Sequence, residues 1–163
     1  MKVGINAVGI CHLHKKGDGR VEWEKIIQNY VCSPCKVGVL GATVETGRPV
    51  SGVMSYLMLQ GFKLYPINPK YVGLKIFGLD FYATIRDVPD VLDIISVFIS
   101  PQNQAFLLGD LENLTYKPIV WMQPGAENPE LEGRLKALGY SVVSGQCLMA
   151  IHKLHCGKSR RRP

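Results

Sequence analysis

Short apolar runs alternate with amphipathic stretches along most of the chain. The apolar runs predict buried strands, at residues 36–41, 62–67, 93–99, 118–122 and 140–143. The stretches between them have apolar positions at helical spacing and predict helices, at residues 22–30, 49–60, 101–108 and 129–138. Two further short strands are predicted at 76–77 and 81–82. Strands separated by helices are typical of βαβ units. The sequence therefore predicts an α/β protein, a three-layer Rossmann-like fold with a mostly parallel sheet of about five or six strands.

The 163 residues, 47% of them apolar and 20% charged, fit one globular domain. We expect an N-terminal extension at 1–20, the domain at 21–156 and a basic C-terminal tail at 157–163. The net charge is +6, and the tail supplies four of those charges. Subtracting the four leaves only +2 on residues 1–157. No basic helix with interleaved aromatics and no apolar run of ~20 residues is present. We therefore expect neither a nucleic-acid partner nor a membrane.

The five cysteines are an odd number scattered through a chain large enough to have its own core. They predict free thiols in a reducing compartment, most simply the cytoplasm. A redox role for the Cys32-Ser-Pro-Cys35 pair is disfavoured, because the pair precedes a strand and not a helix. A zinc site would need further ligands, drawn from His12, His14, His152, His155 or Cys156. We expect no metal, and take unpaired thiols and solvated histidines as the simpler interpretation.

The loop after the first predicted strand carries the features of an anion site. Gly41 allows a tight turn, small Ala42 allows close approach to the backbone, and Thr43 offers a hydroxyl. Arg48 supplies a fork of donors suited to phosphate, and Pro49 opens a helix whose N-terminus favours anions. The spacing matches neither the P-loop nor the dinucleotide fingerprint. A strand–helix turn without a ligand remains the alternative.

The end of the second predicted strand reads Tyr-Pro-Ile-Asn68-Pro69-Lys70. NAD-binding domains usually place an acid there to hold the ribose hydroxyls. Lys70 suits an additional ribose phosphate instead, either the 3′-phosphate of coenzyme A or, less well, the 2′-phosphate of NADP. An exposed lysine without a ligand is the alternative.

These segments, with residues 93–101, 120–128 and Cys147, make the chain resemble the small stand-alone CoA-binding proteins of bacteria and archaea. The chain is also similar, more distantly, to the N-terminal CoA-binding domain of succinyl-CoA synthetase α subunits. The resemblance implies a CoA-binding Rossmann-like fold and assigns a set of ligand-binding residues. Gly41, Thr43 and Arg48 would meet the pyrophosphate; Asn68, Pro69 and Lys70 the adenosine and its 3′-phosphate; Phe98, Ser100 and Pro101 the adenine; and Trp121 and Gln123 the pantetheine path. Ile99 and Ser100 stand where relatives often carry a basic residue, so that loop would grip phosphate less tightly.

We therefore predict a protein that binds CoA or acyl-CoA through its ADP and 3′-phosphate portion, as a non-catalytic binding or sensing module. A chain of this length has no room for a ligase's nucleotide-grasping domain, so ligase chemistry would need a partner chain; a homodimer is also open. Cys147 lacks an obvious activating base, and a structural role is the simpler interpretation. The alternatives are an NADP-dependent reductase and an interaction domain without a ligand.

Overall fold

A computed structural model describes residues 18–157 of the chain. The described part has seven strands: β1 Lys36–Leu40, β2 Lys63–Ile67, β3 Lys75–Ile76, β4 Leu79–Asp80, β5 Ile94–Val97, β6 Ile119–Met122 and β7 Val142–Ser144. It has five α-helices: α1 Asp18–Ile26, α2 Pro49–Leu59, α3 Leu107–Glu112, α4 Pro129–Ala137 and α5 Leu148–Cys156. A π-helical turn, Ile27–Val31, continues α1.

Five of the strands form one sheet in the order β2-β1-β5-β6-β7, and every pair in it is parallel. The register aligns the last residues of the strands, with Leu40 beside Ile67 and Val97 beside Met122. All five strands consequently end along one side of the sheet, here called the carboxyl edge. The opposite side, where Lys36 pairs with Lys63, is called the amino edge.

Apolar side chains cover both faces of the sheet. On one face α1, α2 and α5 pack over a cluster that includes Trp23, Met54 and Trp121. On the other face α3 and α4 bury Leu111 and Leu135 against the sheet. Two helical layers enclosing a buried parallel sheet confirm the predicted three-layer Rossmann-like fold.

A two-stranded antiparallel hairpin, β3–β4, lies outside the main sheet. Main-chain bonds from Asn68 to Tyr82 and from Tyr82 to Pro66, both 2.9 Å, fasten its base to β2. The predicted short strands at 76–77 and 81–82 therefore exist as one hairpin, displaced by one or two residues.

Several predicted elements differ from the structure. The first helix begins at Asp18, inside the predicted extension 1–20, and residues 1–17 lie outside the described part. The predicted helix at 101–108 is a 3-10 turn at Pro101–Asn103 followed by α3. The break occurs because the Gln104 amide turns inward and donates to the carbonyls of Ile99 and Ala126, both at 2.7 Å. The last helix, α5, was absent from the prediction, and all but the first residue of the predicted tail 157–163 lies outside the described residues.

Candidate functional site

A cleft of about 470 Å³ opens at the carboxyl edge, where the chain leaves β1 and β5 in opposite directions. In an open parallel sheet this switch point is where ligands bind. The cleft is lined by residues from the loops that follow β1, β2, β5 and β6: Gly41, Thr43, Glu45, Arg48, Pro49, Val50, Asn68, Lys70, Tyr71, Phe98 and Pro124.

The turn after β1 depends on a glycine. Gly41 has a φ of +93°, a conformation that side chains rarely adopt, and a Cβ there would lie 3.0 Å from Cγ1 of Ile99. The next residue, Ala42, is fully buried, and its carbonyl accepts a 2.9 Å bond from the Asn68 side chain. The loops after β1 and β2 are thereby held together at the floor of the cleft.

Hydroxyl groups hold the rest of this loop in place. The Thr43 hydroxyl donates to the Tyr71 hydroxyl at 3.2 Å and accepts from the Glu45 amide at 3.1 Å. The buried Ser51 hydroxyl donates to the Glu45 carbonyl at 2.8 Å. These bonds within the protein restrict the loop to one arrangement, and a loop restricted in this way loses less entropy when it binds a ligand.

Two cations and one acid line the cleft. Arg48 donates from Nε to Oε2 of Glu45 at 2.6 Å, and both side chains are exposed. The guanidinium of Arg48, through this hydrogen bond and its charge, lowers the pKa of Glu45; Lys70 lowers it further. Lys70 lies 5.2 Å from the ring centre of Tyr71 and has no ion pair among residues 18–157. Pro49 occupies the first turn of α2, so the helix N-terminus adds a partial positive charge.

Seven of the thirteen predicted site residues line this cleft together: Gly41, Thr43, Arg48, Pro49, Asn68, Lys70 and Phe98. The other predicted residues lie elsewhere. Ala42 is in the core beneath the cleft, and Pro69 is exposed beside it. Ser100 accepts a bond from the Asn103 side chain, and Pro101 lines a separate cleft between α3 and α4.

Trp121 and Gln123, predicted for the pantetheine path, are both buried. Trp121 donates from Nε1 to the Gln146 carbonyl at 2.7 Å, and Gln123 donates to the Ser96 hydroxyl at 2.8 Å. Both buried side chains therefore help to fix the positions of the loops at the carboxyl edge. The sequence prediction missed Glu45 and Tyr71; Tyr71 directly follows Lys70, and Glu45 lies inside the predicted phosphate loop, three residues before Arg48.

The prediction that the cysteines are all free thiols is wrong. Cys32 and Cys156 form a disulfide that ties the end of the first helical segment to α5. Cys35 and Cys147 are the free cysteines of the described part. Burial, reinforced by the charge of Asp93, raises the pKa of the Cys35 thiol to about 12, which makes it a poor nucleophile. The argument from free thiols to a cytoplasmic location loses its basis.

The expectation that the histidines are solvated is wrong for His152, whose side chain is buried. Its Nδ1 lies 2.8 Å from the Tyr56 hydroxyl, across the packing of α5 against α2, and burial lowers its pKa. Among residues 18–157 no three His, Cys, Asp or Glu side chains are grouped to hold a metal ion. No helix in this range has the length and apolarity needed to cross a bilayer.

The domain is Rossmann-like, and the cleft at its switch point has cations in its lining and a glycine at its floor. These features are typical of the class of nucleotide-binding α/β domains. Comparison with known proteins identifies the family within that class. The chain belongs to the CoA binding domain family, whose profile matches residues 36–153.

Two similarities connect this family to ligases and to small single-domain proteins. The chain is 30% identical over 126 residues to an ADP-forming acetate–CoA ligase of Methanocaldococcus jannaschii, covering 73% of this chain but only 18% of the ligase. It is 34% identical to the structure of cell-free ID.343 from Thermus thermophilus, with a TM-score of 0.74, covering 80% of this chain and 97% of that one.

A third similarity concerns the fold alone. The dinucleotide-forming acetyl-coenzyme A synthetase 1 of Ca. Korarchaeum cryptofilum, solved with phosphate and ADP, matches with a TM-score of 0.57 and 22% identity. The match covers 74% of this chain and 27% of that enzyme. The chain thus corresponds to one domain of the much longer ligases.

Proposed function

We propose that the protein binds coenzyme A or an acyl-CoA through the ADP and 3′-phosphate portion, as a non-catalytic binding or sensing module. The observation that carries the proposal is the pair of exposed cations, Arg48 and Lys70, on two loops that meet at the switch-point cleft with one acid between them. Family membership supports the choice of CoA among nucleotide ligands.

The cleft fits a phosphorylated ligand on physical grounds. Gly41 permits the tight turn at φ +93° that a residue with a Cβ would strain, and the turn brings the main chain of this loop to the cleft, where a ligand phosphate would meet it. Arg48 and the N-terminus of α2 would face the pyrophosphate, and a guanidinium is suited to bidentate contact with it. Asn68, Pro69 and Lys70 would flank the adenosine, with Lys70 next to the 3′-phosphate, and Phe98 would contact the adenine.

The non-catalytic part of the proposal follows from the chemistry of the cleft. The described residues that line the cleft include one carboxylate, which is bonded to Arg48, and no histidine or cysteine. An acid–base or nucleophilic pair needs two groups within hydrogen-bond reach of a reacting atom. Ligase chemistry would require domains beyond this one, for example from a partner chain, and the proposal also includes self-association as a homodimer.

A second candidate, an NADP-dependent reductase, is supported by one feature, because Lys70 would also suit, though less well, a 2′-phosphate. Calorimetric titration with CoA, dephospho-CoA, NADP and NAD at one fixed salt concentration separates the two. We expect CoA to bind most tightly and dephospho-CoA markedly less tightly. Preference for NADP would replace the proposal with the second candidate, and binding of none of the four would refute both.

A variant pair localises the site. Arg48→Ala should weaken CoA binding by about 10- to 100-fold, the loss expected for one charge-assisted contact. The matched control is Arg86→Ala, because Arg86 is also exposed but does not line the cleft. Equal losses in both variants would show that only overall charge matters and would remove Arg48 from the site.

A further inference from the structure

Glu45 occupies one of the guanidinium donors of Arg48 that a ligand phosphate would use. Its carboxylate accepts a 2.6 Å bond from Nε of Arg48, and both residues line the cleft together with Lys70. Glu45 is the one acidic residue among the described residues that line this cleft. The cleft thus contains its own anion at the position where the proposed function requires a phosphate.

The position of Glu45 is fixed by its neighbours. Its amide donates to Thr43, and its carbonyl accepts from the Ser51 hydroxyl at 2.8 Å and from the Arg48 amide at 3.3 Å. These bonds hold the backbone at both of its polar atoms, so a bound ligand can displace the carboxylate only by rotating the side chain. A displaced carboxylate then remains close to the incoming phosphate.

We propose that Glu45 is a built-in competitor for the ligand phosphate, which sets the affinity of the cleft and makes binding depend on phosphate charge. This inference rests on the proposed function and names a residue that regulates the same site. A ligand phosphate that takes Nε of Arg48 must break the Glu45–Arg48 bond, and a phosphate that binds the remaining guanidinium donors still meets repulsion from the carboxylate. Weakly charged anions cannot compensate for that loss, whereas a diphosphate with a further phosphate beside Lys70 can.

The test is a titration of CoA into the full chain and its Glu45→Gln variant, with Glu24→Gln as the matched control. Glu24 is an exposed glutamate on α1 and is not part of the cleft. Glutamine keeps the size of the side chain and removes the charge. We expect Glu45→Gln to bind CoA about 3- to 10-fold more tightly, in line with the modest strength of an exposed ion pair plus relief of repulsion, and Glu24→Gln to be unchanged.

A double-mutant cycle separates competition for Arg48 from a general charge effect. If Glu45 acts by occupying Arg48, the gain from Glu45→Gln should shrink in an Arg48→Ala background. A gain of the same size in both backgrounds would overturn the inference, as would unchanged or weaker binding by Glu45→Gln. If the wild-type protein binds CoA and Arg48→Ala weakens it, such a result overturns this inference alone. If neither the wild-type protein nor Glu45→Gln binds CoA, the proposed function fails with it.

Discussion

The two edges of the parallel sheet carry similar groups in different arrangements. At the amino edge Lys36, Lys63 and Tyr65 surround Asp90, and at the carboxyl edge Arg48, Lys70 and Tyr71 border the candidate site. Each edge also has a cleft of similar size, about 400 Å³ at the amino edge and about 470 Å³ at the carboxyl edge. Cleft size and residue type therefore do not distinguish a binding site from a structural cluster in this molecule.

The difference lies in how the charges are paired. Asp90 accepts from Lys36 at 3.3 Å, from Lys63 at 3.0 Å and from the Tyr65 hydroxyl. Asp93 also accepts from the main-chain amide of Lys36 at 2.9 Å, while the ammonium groups of both lysines pair with Asp90. Each lysine of this cluster therefore has an acidic partner within the protein, which is what a structural cluster requires.

Among the described residues that line the cleft at the carboxyl edge, one acid, Glu45, stands beside two cations, Arg48 and Lys70. Lys70 has no acidic partner within residues 18–157, and the N-terminus of α2 adds to the positive potential. A cleft left with an excess of positive charge attracts an anionic ligand. Unpaired charge, and not the presence of lysines, therefore distinguishes the candidate site from the Asp90 cluster. We expect changes near the amino edge to alter stability and changes in the cleft to alter ligand affinity.

The largest expected effect concerns the disulfide, which lies on the structural side of this comparison. Cys32 precedes β1 at the amino edge, and its bond to Cys156 closes a loop with a sequence separation of 124. A cross-link of a long loop restricts the unfolded chain. Cys156→Ser should therefore lower the free energy of unfolding by about 2–5 kcal/mol, measured by urea titration, while CoA affinity stays unchanged.

The wild-type protein in a reducing agent is the control for this variant. Reduction should bring its stability down to that of Cys156→Ser and should leave the variant itself unaffected. A wild-type protein whose unfolding curve does not respond to reduction would contradict the stabilising role of the bond.

The second effect compares one lysine from each edge. Lys70→Ala should weaken CoA binding by about 10- to 100-fold and remove the preference for CoA over dephospho-CoA, because its proposed partner is the 3′-phosphate. Lys63→Ala should leave both titrations unchanged and lower the melting temperature by a few degrees, since Lys63 pairs with Asp90. If Lys63→Ala weakened CoA binding as strongly as Lys70→Ala, the assignment of the two edges would be wrong.

The strands of the main sheet could be predicted because each is a short run of buried apolar residues, as in Ile94–Val97 and Ile119–Met122. The site could be predicted in outline because glycine, arginine and lysine follow strands whose ends must share one edge. Both predictions rest on local sequence alone: the apolar runs of the strands and the residues that directly follow them.

The remaining features depend on contacts between distant residues. The spacing of residues in the sequence does not show that Cys32 bonds to Cys156 or that His152 contacts Tyr56. These contacts form only when α5 packs against the first helical segment and α2. The helix α5 itself had a readable signal, since Leu148, Ile151 and His152 recur at helical spacing and are all buried. Glu45 was missed because an acid in a phosphate loop is informative only once its bond to Arg48 is known.

The smallest effect is a pH dependence of stability at the amino edge. The Tyr65 hydroxyl, followed by Lys63 and Lys36, lowers the pKa of Asp90 below its usual value near 3.9. A carboxyl whose pKa is lower in the folded state stabilises the fold above the unfolded-state pKa, and that contribution is lost as the pH falls toward the folded-state pKa. The difference in unfolding free energy between the wild-type protein and Asp90→Asn should therefore be constant from about pH 5 to 7 and become smaller below about pH 4.

Urea titrations at pH 7, 5 and 3 measure this difference in unfolding free energy, and CoA affinity at pH 7 should be the same in both proteins. A difference that persists undiminished at pH 3 would show that Asp90 acts through its shape and not through its charge, and the contrast between the paired lysines around Asp90 and the unpaired Lys70 of the cleft would lose its physical basis.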